Sequence, residues 1–158
     1  MKISPEPYEL RDVIAVSLQA LKFKLEDRPV EIQVARDFPE IPMDFALIVK
    51  VLTNLIGNAL KYSPEGTPLR IRAEAEKDAA RIEVSDQGPG IKEKDLEKVF
   101  EKFYRADKAG KINGLGLGLW ICKGIIEAHQ GEIRALSPSP GGSGTTVFFK
   151  LPLKGKSL

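Results

Sequence analysis

Asn54, Asn58 and Lys61 recur at spacings of four and three within the stretch 51–62. Read as a helix at about 100° per residue, they fall on one arc of roughly 60°. Leu52, Leu55, Ile56 and Ala59 gather on the other side as an apolar stripe suited to a core. Carboxamide oxygens can ligate a hard cation such as Mg²⁺, and an ammonium group can neutralise phosphate oxygens. A solvated helix face that happens to carry two asparagines would show the same pattern.

Two glycine-rich stretches add to this face. Asp86-Gln87-Gly88-Pro89-Gly90 follows an alternating, strand-like run. Its aspartate could accept from an exocyclic amine, with the glycines letting a ring lie against the backbone; it could equally cap a turn. The second stretch, Gly114-Leu115-Gly116-Leu117-Gly118-Leu119, runs straight into an apolar helical pattern. A glycine-rich helix start presents unpaired N–H groups and the positive end of the macrodipole, which suits phosphate. Glycines cost an ordinary helix roughly 1 kcal/mol each against alanine, so a plain helix start would have to explain them. The spacing fits neither the Walker loop nor the dinucleotide fingerprint, and no Gly-Lys-Ser/Thr follows.

In order along the chain stand Asn54-x-x-x-Asn58-Ala59-x-Lys61-Tyr62, Asp86-x-Gly88-x-Gly90, Phe100-x-x-Phe103-Tyr104-Arg105, Gly114-x-Gly116-x-Gly118 and Gly142-x-Gly144-Thr145. This series resembles the N box, first glycine box, F box, second glycine box and final Gly-x-Gly-Thr of the catalytic ATP-binding domain of bacterial sensor histidine kinases. The likeness runs from about Pro5 to Leu153 and is strengthened by Ile121 to Gly131, although Gln130 stands where many members have glycine. Leu115 replaces the Thr or Ser often found between the first two glycines of the second box.

The resemblance implies a Bergerat-type fold that binds Mg²⁺ and ATP. Asn58 would give its side-chain oxygen to the metal, Asn54 would support that shell, Lys61 would meet a phosphate, and Tyr62 would lie near the sugar or base. Asp86 would accept from the adenine amine, beside Gly88, Gly90 and Ile91. Phe100 and Phe103 would anchor a lid over 104–113 whose cations Arg105, Lys108 and Lys111 reach the γ-phosphate. Gly114, Leu115, Gly116, Leu117, Gly118 and Leu119 would line the phosphates, and Thr145 or Thr146 would close the adenine pocket. Asn54, Asn58, Lys61 and Arg105 form the implied catalytic set.

Gyrase-type and chaperone ATPases and anti-sigma serine kinases share this implied fold. They usually carry a glutamate general base four residues before the metal-binding asparagine. Here that position is Asn54, and an amide takes no proton at neutral pH. Histidine, nucleophilic when neutral, needs less help from a base, which favours a histidine kinase. A nucleotide-binding module without transfer activity would show the same motifs. The lone histidine, His129, lies in an apolar run and is expected to be structural, so the phosphoacceptor is expected on a separate helical dimerisation domain. The phosphoryl group would then pass to the receiver domain of a response regulator. The fragment alone should be inactive.

The elements that must position these residues follow from periodicity. An amphipathic helix is expected over 8–27, bounded by Pro5, Pro7 and Pro29, then a strand over 30–34 and a proline-bearing connection over 37–44. The asparagine helix ends near Tyr62. Alternation over 69–75 and 81–85 predicts a hairpin turning at 77–80, followed by a short helix over 93–102. An apolar helix over 115–128 and strands over 132–136 and 145–151 complete an α/β (α+β) two-layer sandwich, with about three helices on one face of a mixed, mostly antiparallel sheet. Residues 1–7 read as the remnant of an interdomain linker, 8–153 as the ATP-binding domain and 154–158 as a flexible tail.

The 158 residues suit one domain, and a net charge of +2 without a basic stripe argues against a nucleic-acid binder. Cys122, the sole cysteine, cannot form an internal disulfide and sits in an apolar run, as a core thiol does. No signal-peptide pattern and no apolar run long enough to span a membrane is read from the chain, so this part is expected to be cytoplasmic and free of membrane contact.

Overall fold

A computed structural model describes residues 1–104, 118–138 and 144–154. In chain order the elements are β1 (Glu6–Tyr8), α1 (Leu10–Ala20), α2 (Lys22–Leu25), β2 (Val30–Gln33), β3 (Ile41–Met43), α3 (Phe45–Tyr62), β4 (Leu69–Ala75), β5 (Ala79–Ser85), α4 (Gly118–Ala128), β6 (Glu132–Leu136) and β7 (Thr146–Pro152).

The asparagine helix α3 starts where Asp44 caps it, its Oδ1 accepting from the Leu47 N–H at 3.3 Å. Ile48, Val51, Leu52, Leu55, Ile56 and Ala59 are buried, which is the stripe the 3.6-residue period predicts. By length and composition α3 would also pass for a membrane span, contrary to the sequence expectation, with a mean hydropathy of 1.2. Its apolar side instead forms the core of the fold.

The main sheet has the order β2-β4-β5-β7-β6. Its pairs are antiparallel except β2 with β4, so the sheet is mixed and mostly antiparallel. Registered rows such as Ala73, Ile82, Phe149 and Ile133 face α3 and α4 and make the core with them. On the opposite face the next row reads Arg72, Glu83, Phe148 and Arg134. There Arg81 lies over the Phe148 ring at 3.8 Å, and ion pairs such as Arg81–Glu83 and Arg70–Glu31 cross the surface. A charged outer face and an apolar inner one give two layers with the helices on one side.

Five expectations need correction. The helix over 8–27 is divided: Tyr8 belongs to β1, and the backbone leaves the helix at Leu21 before α2 begins. The break turns both Leu21 and Leu25 into the core. The connection over 37–44 contains β3, which pairs antiparallel with β1 and sets Pro42 opposite Pro7. A two-stranded ladder tolerates prolines that a central strand would not. This pairing begins at Glu6, and the Ser4 N–H reaches Asp44 Oδ2 at 3.0 Å, so part of 1–7 packs on the domain.

The helix over 93–102 is two 3-10 turns, Glu93–Asp95 and Lys98–Phe100. Of these residues Val99 and Phe100 are buried. At the hairpin, Ala79 and Ala80 are already in β5, which makes the reversal tighter than expected.

Candidate functional site

The C-terminal half of α3 carries Asn54 and Asn58 half-buried and Lys61 exposed, so the polar face borders the core without entering it. Asn54 is held from behind by a hydrogen bond with the Cys122 thiol of α4. That thiol is fully buried and lies 3.8 Å from the Val51 carbonyl oxygen, and burial pushes its pKa up to about 12, so it stays neutral. Sequence reasoning assigned Cys122 to the core but missed its contact with Asn54.

Across the site, Gly118 opens α4. A Cβ there would lie 3.9 Å from the Asn54 carboxamide carbon, so the second glycine stretch delivers its helix directly to the asparagine face. Leu119 is half-buried against the core beside it.

Asp86 stands where β5 ends. Its N–H donates to the Thr145 carbonyl at 2.9 Å, and its Oδ1 accepts from the Gly88 N–H at 2.7 Å. Burial raises its pKa above the ordinary 3.8, opposed by backbone N–H groups of Gly88 and Thr145 and by the charge of Arg28.

The glycines of this loop serve the chain itself. A Cβ on Gly88 would collide with the Tyr62 carbonyl oxygen, and one on Gly144 with the Asp86 carbonyl oxygen. Gly88 therefore joins the end of α3 to the Asp86 loop, and Gly144 joins β7 to it. The space beside Gly88 is filled by protein backbone, and a Cβ on Gly90 would meet Ser137 Oγ.

Ser137, which sequence reasoning missed, fixes the far side of the loop. Its Oγ accepts from the Ile91 N–H at 2.9 Å and donates to the Gly144 carbonyl at 3.0 Å, next to Gly90. Thr145 is buried beside Asp86. Thr146 Oγ1 pairs with Ser85 Oγ at 2.7 Å, in the registered row that lies on the outer face of the sheet. Of the two threonines, the structure puts Thr145 next to the carboxylate.

Phe100 is buried and Phe103 is 61% exposed. Lys102 Nζ lies 5.3 Å from the Phe103 ring and 4.9 Å from the Trp120 ring, joining this segment to α4. Tyr104 hydrogen-bonds Asp95; burial is the first cause raising its hydroxyl pKa, and the two acids nearby, Asp95 and Glu101, add to it. Arg105, Lys108, Lys111, Gly114, Leu115, Gly116 and Leu117 lie outside the described residues.

His129 is buried with both ring nitrogens engaged. Nδ1 is 2.8 Å from the Ile125 carbonyl, and Nε2 accepts from the Asp44 N–H at 3.0 Å. It is a neutral strut between the end of α4 and the start of α3, as its apolar setting suggested.

Among the described residues no three His, Cys, Asp or Glu side chains cluster to hold a metal. A cation here would rely on amide oxygens and on ligand oxygens, a hard-donor set that fits Mg²⁺ and not a soft transition metal.

Residues 43–155 match the family described as histidine kinase-, DNA gyrase B-, and HSP90-like ATPase. The chain is 45% identical over 131 residues to the sensor histidine kinase WalK of Bacillus subtilis (strain 168), covering 78% of this chain and 21% of that protein. It is 36% identical over 153 residues to the histidine-protein kinase/phosphatase MprB of Mycolicibacterium smegmatis, covering 95% of this chain and 31% of that one. The chain thus spans about a fifth to a third of these relatives. Among solved structures, a mycobacterial sensor histidine kinase MprB aligns with a TM-score of 0.83 at 30% identity, over 94% of this chain and 97% of that one.

Proposed function

The chain belongs to the histidine kinase-, DNA gyrase B-, and HSP90-like ATPase family, and we propose that it is the ATP-binding catalytic module of a sensor histidine kinase, passing the γ-phosphoryl group of ATP to a histidine on a separate helical domain. The observation that carries this reading is convergence. Residues far apart in sequence meet in pairs: Gly118 with Asn54, Gly88 with Tyr62, and Asp86 with Thr145.

At the base end, ionised Asp86 accepts from the adenine N6 amine, with Tyr62, Ile91 and Thr145 around it. At the phosphate end, Lys61 and the N-terminus of α4 meet negative charge. Asn58 offers its side-chain oxygen to the metal, and Asn54, steadied by Cys122, supports that shell. Mg²⁺ supplies neutralisation of phosphate charge when bound. Arg105, Lys108 and Lys111 are the further cations proposed to reach the γ-phosphate.

Asn54 cannot accept a proton from water, so ATP hydrolysis by the module is slow. A neutral imidazole nitrogen needs no such base; it takes the phosphoryl group as the bond to ADP breaks. His129 is not that acceptor, since it is buried and both its nitrogens are committed. The phosphohistidine on the separate domain in turn supplies an aspartate of a response regulator. The cytoplasm, where ATP is available, is the compartment this chemistry requires.

Labelling from γ-labelled ATP tests the assignment. The module alone should incorporate no label. With a histidine-containing dimerisation domain of its parent protein added, acid-labile, base-stable phosphate should form on that domain. Acid-stable phosphoserine would overturn the histidine-kinase reading.

A further inference from the structure

We propose that Arg28 is a positioning residue for the purine end of the site: it fixes the turn behind the Tyr62 carbonyl, and that carbonyl seats the loop from which Asp86 reads the base. The inference rests on the nucleotide-binding reading above.

Arg28 lies just before β2, in a segment held by the backbone. Its own N–H donates to the Leu25 carbonyl at 2.8 Å, and the Leu69 N–H donates to the Pro29 carbonyl at 2.9 Å. From there the guanidinium reaches the turn that follows α3. Nε donates to the Thr67 carbonyl at 2.7 Å, and Nη2 donates to Ser63 Oγ at 2.5 Å and Thr67 Oγ1 at 3.3 Å. Ser63 is the C-cap of α3 and donates through Oγ to the Ala59 carbonyl at 2.5 Å. Thr67 closes the other end of the turn through Oγ1 to the Pro64 carbonyl at 2.6 Å. One side chain thus ties both ends of the turn 63–67.

The peptide immediately before Ser63 carries the Tyr62 carbonyl oxygen, which occupies the space a Cβ on Gly88 would need. The Gly88 N–H in turn holds Asp86 Oδ1 at 2.7 Å. Contacts therefore run unbroken from Arg28 through Ser63, Tyr62 and Gly88 to Asp86. The charge of the guanidinium also favours ionised Asp86 against its burial. A planar fork with several donors suits three acceptors at once; a lysine would keep the charge without the fork.

The test compares calorimetric affinities of the wild type, Arg28→Gln, Arg28→Lys and Ser63→Ala for MgATP, MgGTP and magnesium tripolyphosphate. Arg28→Gln should weaken ATP by about tenfold, as loss of a charge-assisted hydrogen-bond set does. It should leave tripolyphosphate unchanged and narrow the ATP-over-GTP preference. Arg28→Lys should fall between it and the wild type, and Ser63→Ala should shift the preference in the same direction by less. An unchanged preference in folded Arg28→Gln, or equal losses for all three ligands, would overturn the proposal. Should Arg28→Gln fail to fold, wild-type preference in Ser63→Ala would overturn it instead. A wild-type protein that binds neither nucleotide would contradict the nucleotide-binding reading itself, a separate and recognisable outcome.

Discussion

Gly118 at the start of α4 faces Asn54 of α3, with 3.9 Å between the place a Cβ on Gly118 would take and the Asn54 carboxamide carbon. That is ordinary van der Waals contact, so among the described residues nothing demands glycine at Gly118. A ligand between the helix start and the asparagine face would.

Gly118→Ala should therefore fold and, by helix propensity, gain up to about 1 kcal/mol in stability. Its MgATP affinity should fall severalfold, and that of Gly118→Val further, because the added methyls crowd the phosphate end. Melting curves and calorimetry on the same samples check both halves. Wild-type affinity in Gly118→Val would show that no phosphate approaches there.

Asp86 sets a pH dependence whose sign is fixed by burial. Its raised pKa means the folded, nucleotide-free protein binds this proton more tightly than the unfolded chain does. Its contribution to stability is full below the ordinary value of 3.8 and falls as pH rises through the raised folded value. Asp86→Asn should raise the melting temperature of the nucleotide-free protein at pH 7, with the gain vanishing at low pH. It should also weaken ATP by about tenfold or more and narrow the gap to GTP, since a carboxamide offers either a donor or an acceptor. Unchanged base selectivity would make the Asp86 loop a turn and nothing more.

His129 should matter for stability and not for chemistry. His129→Ala takes the partner from the part-buried Asp44 N–H and empties a buried site, a loss of about 1–3 kcal/mol. In denaturant titrations the midpoint should fall accordingly, while the folded variant still labels an added acceptor domain. Loss of labelling at full stability would give this histidine a role the structure does not suggest.

Much of the site was legible because its helix packs on one side only. The period of 3.6 put Leu52, Leu55, Ile56 and Ala59 inward, and all four are buried. Alternation likewise exposed the hairpin of β4 and β5, whose inner residues Ile71, Ile82 and Val84 are core. The pair β1 and β3 was hidden by three-residue lengths and by Pro7 and Pro42, which read as breakers. Leu96, Val99, Phe100 and Phe103 imitate helical spacing, yet Phe103 stays out in the solvent. Arg28 could not be found from sequence at all, because it meets Ser63 and Thr67 across separations of 35 and 39 residues that no local pattern marks.

The asparagine face, the Asp86 loop and the start of α4 should together bind Mg-ATP. Calorimetric titration of ATP into the wild type and Asn58→Ala, with and without Mg²⁺, tests it most directly. One ATP should bind per chain, tightened by Mg²⁺ in the wild type, with most of that Mg²⁺ dependence lost in an Asn58→Ala variant that still melts near the wild-type temperature. Absence of binding, or equal affinity and equal Mg²⁺ dependence in the two proteins, would contradict it.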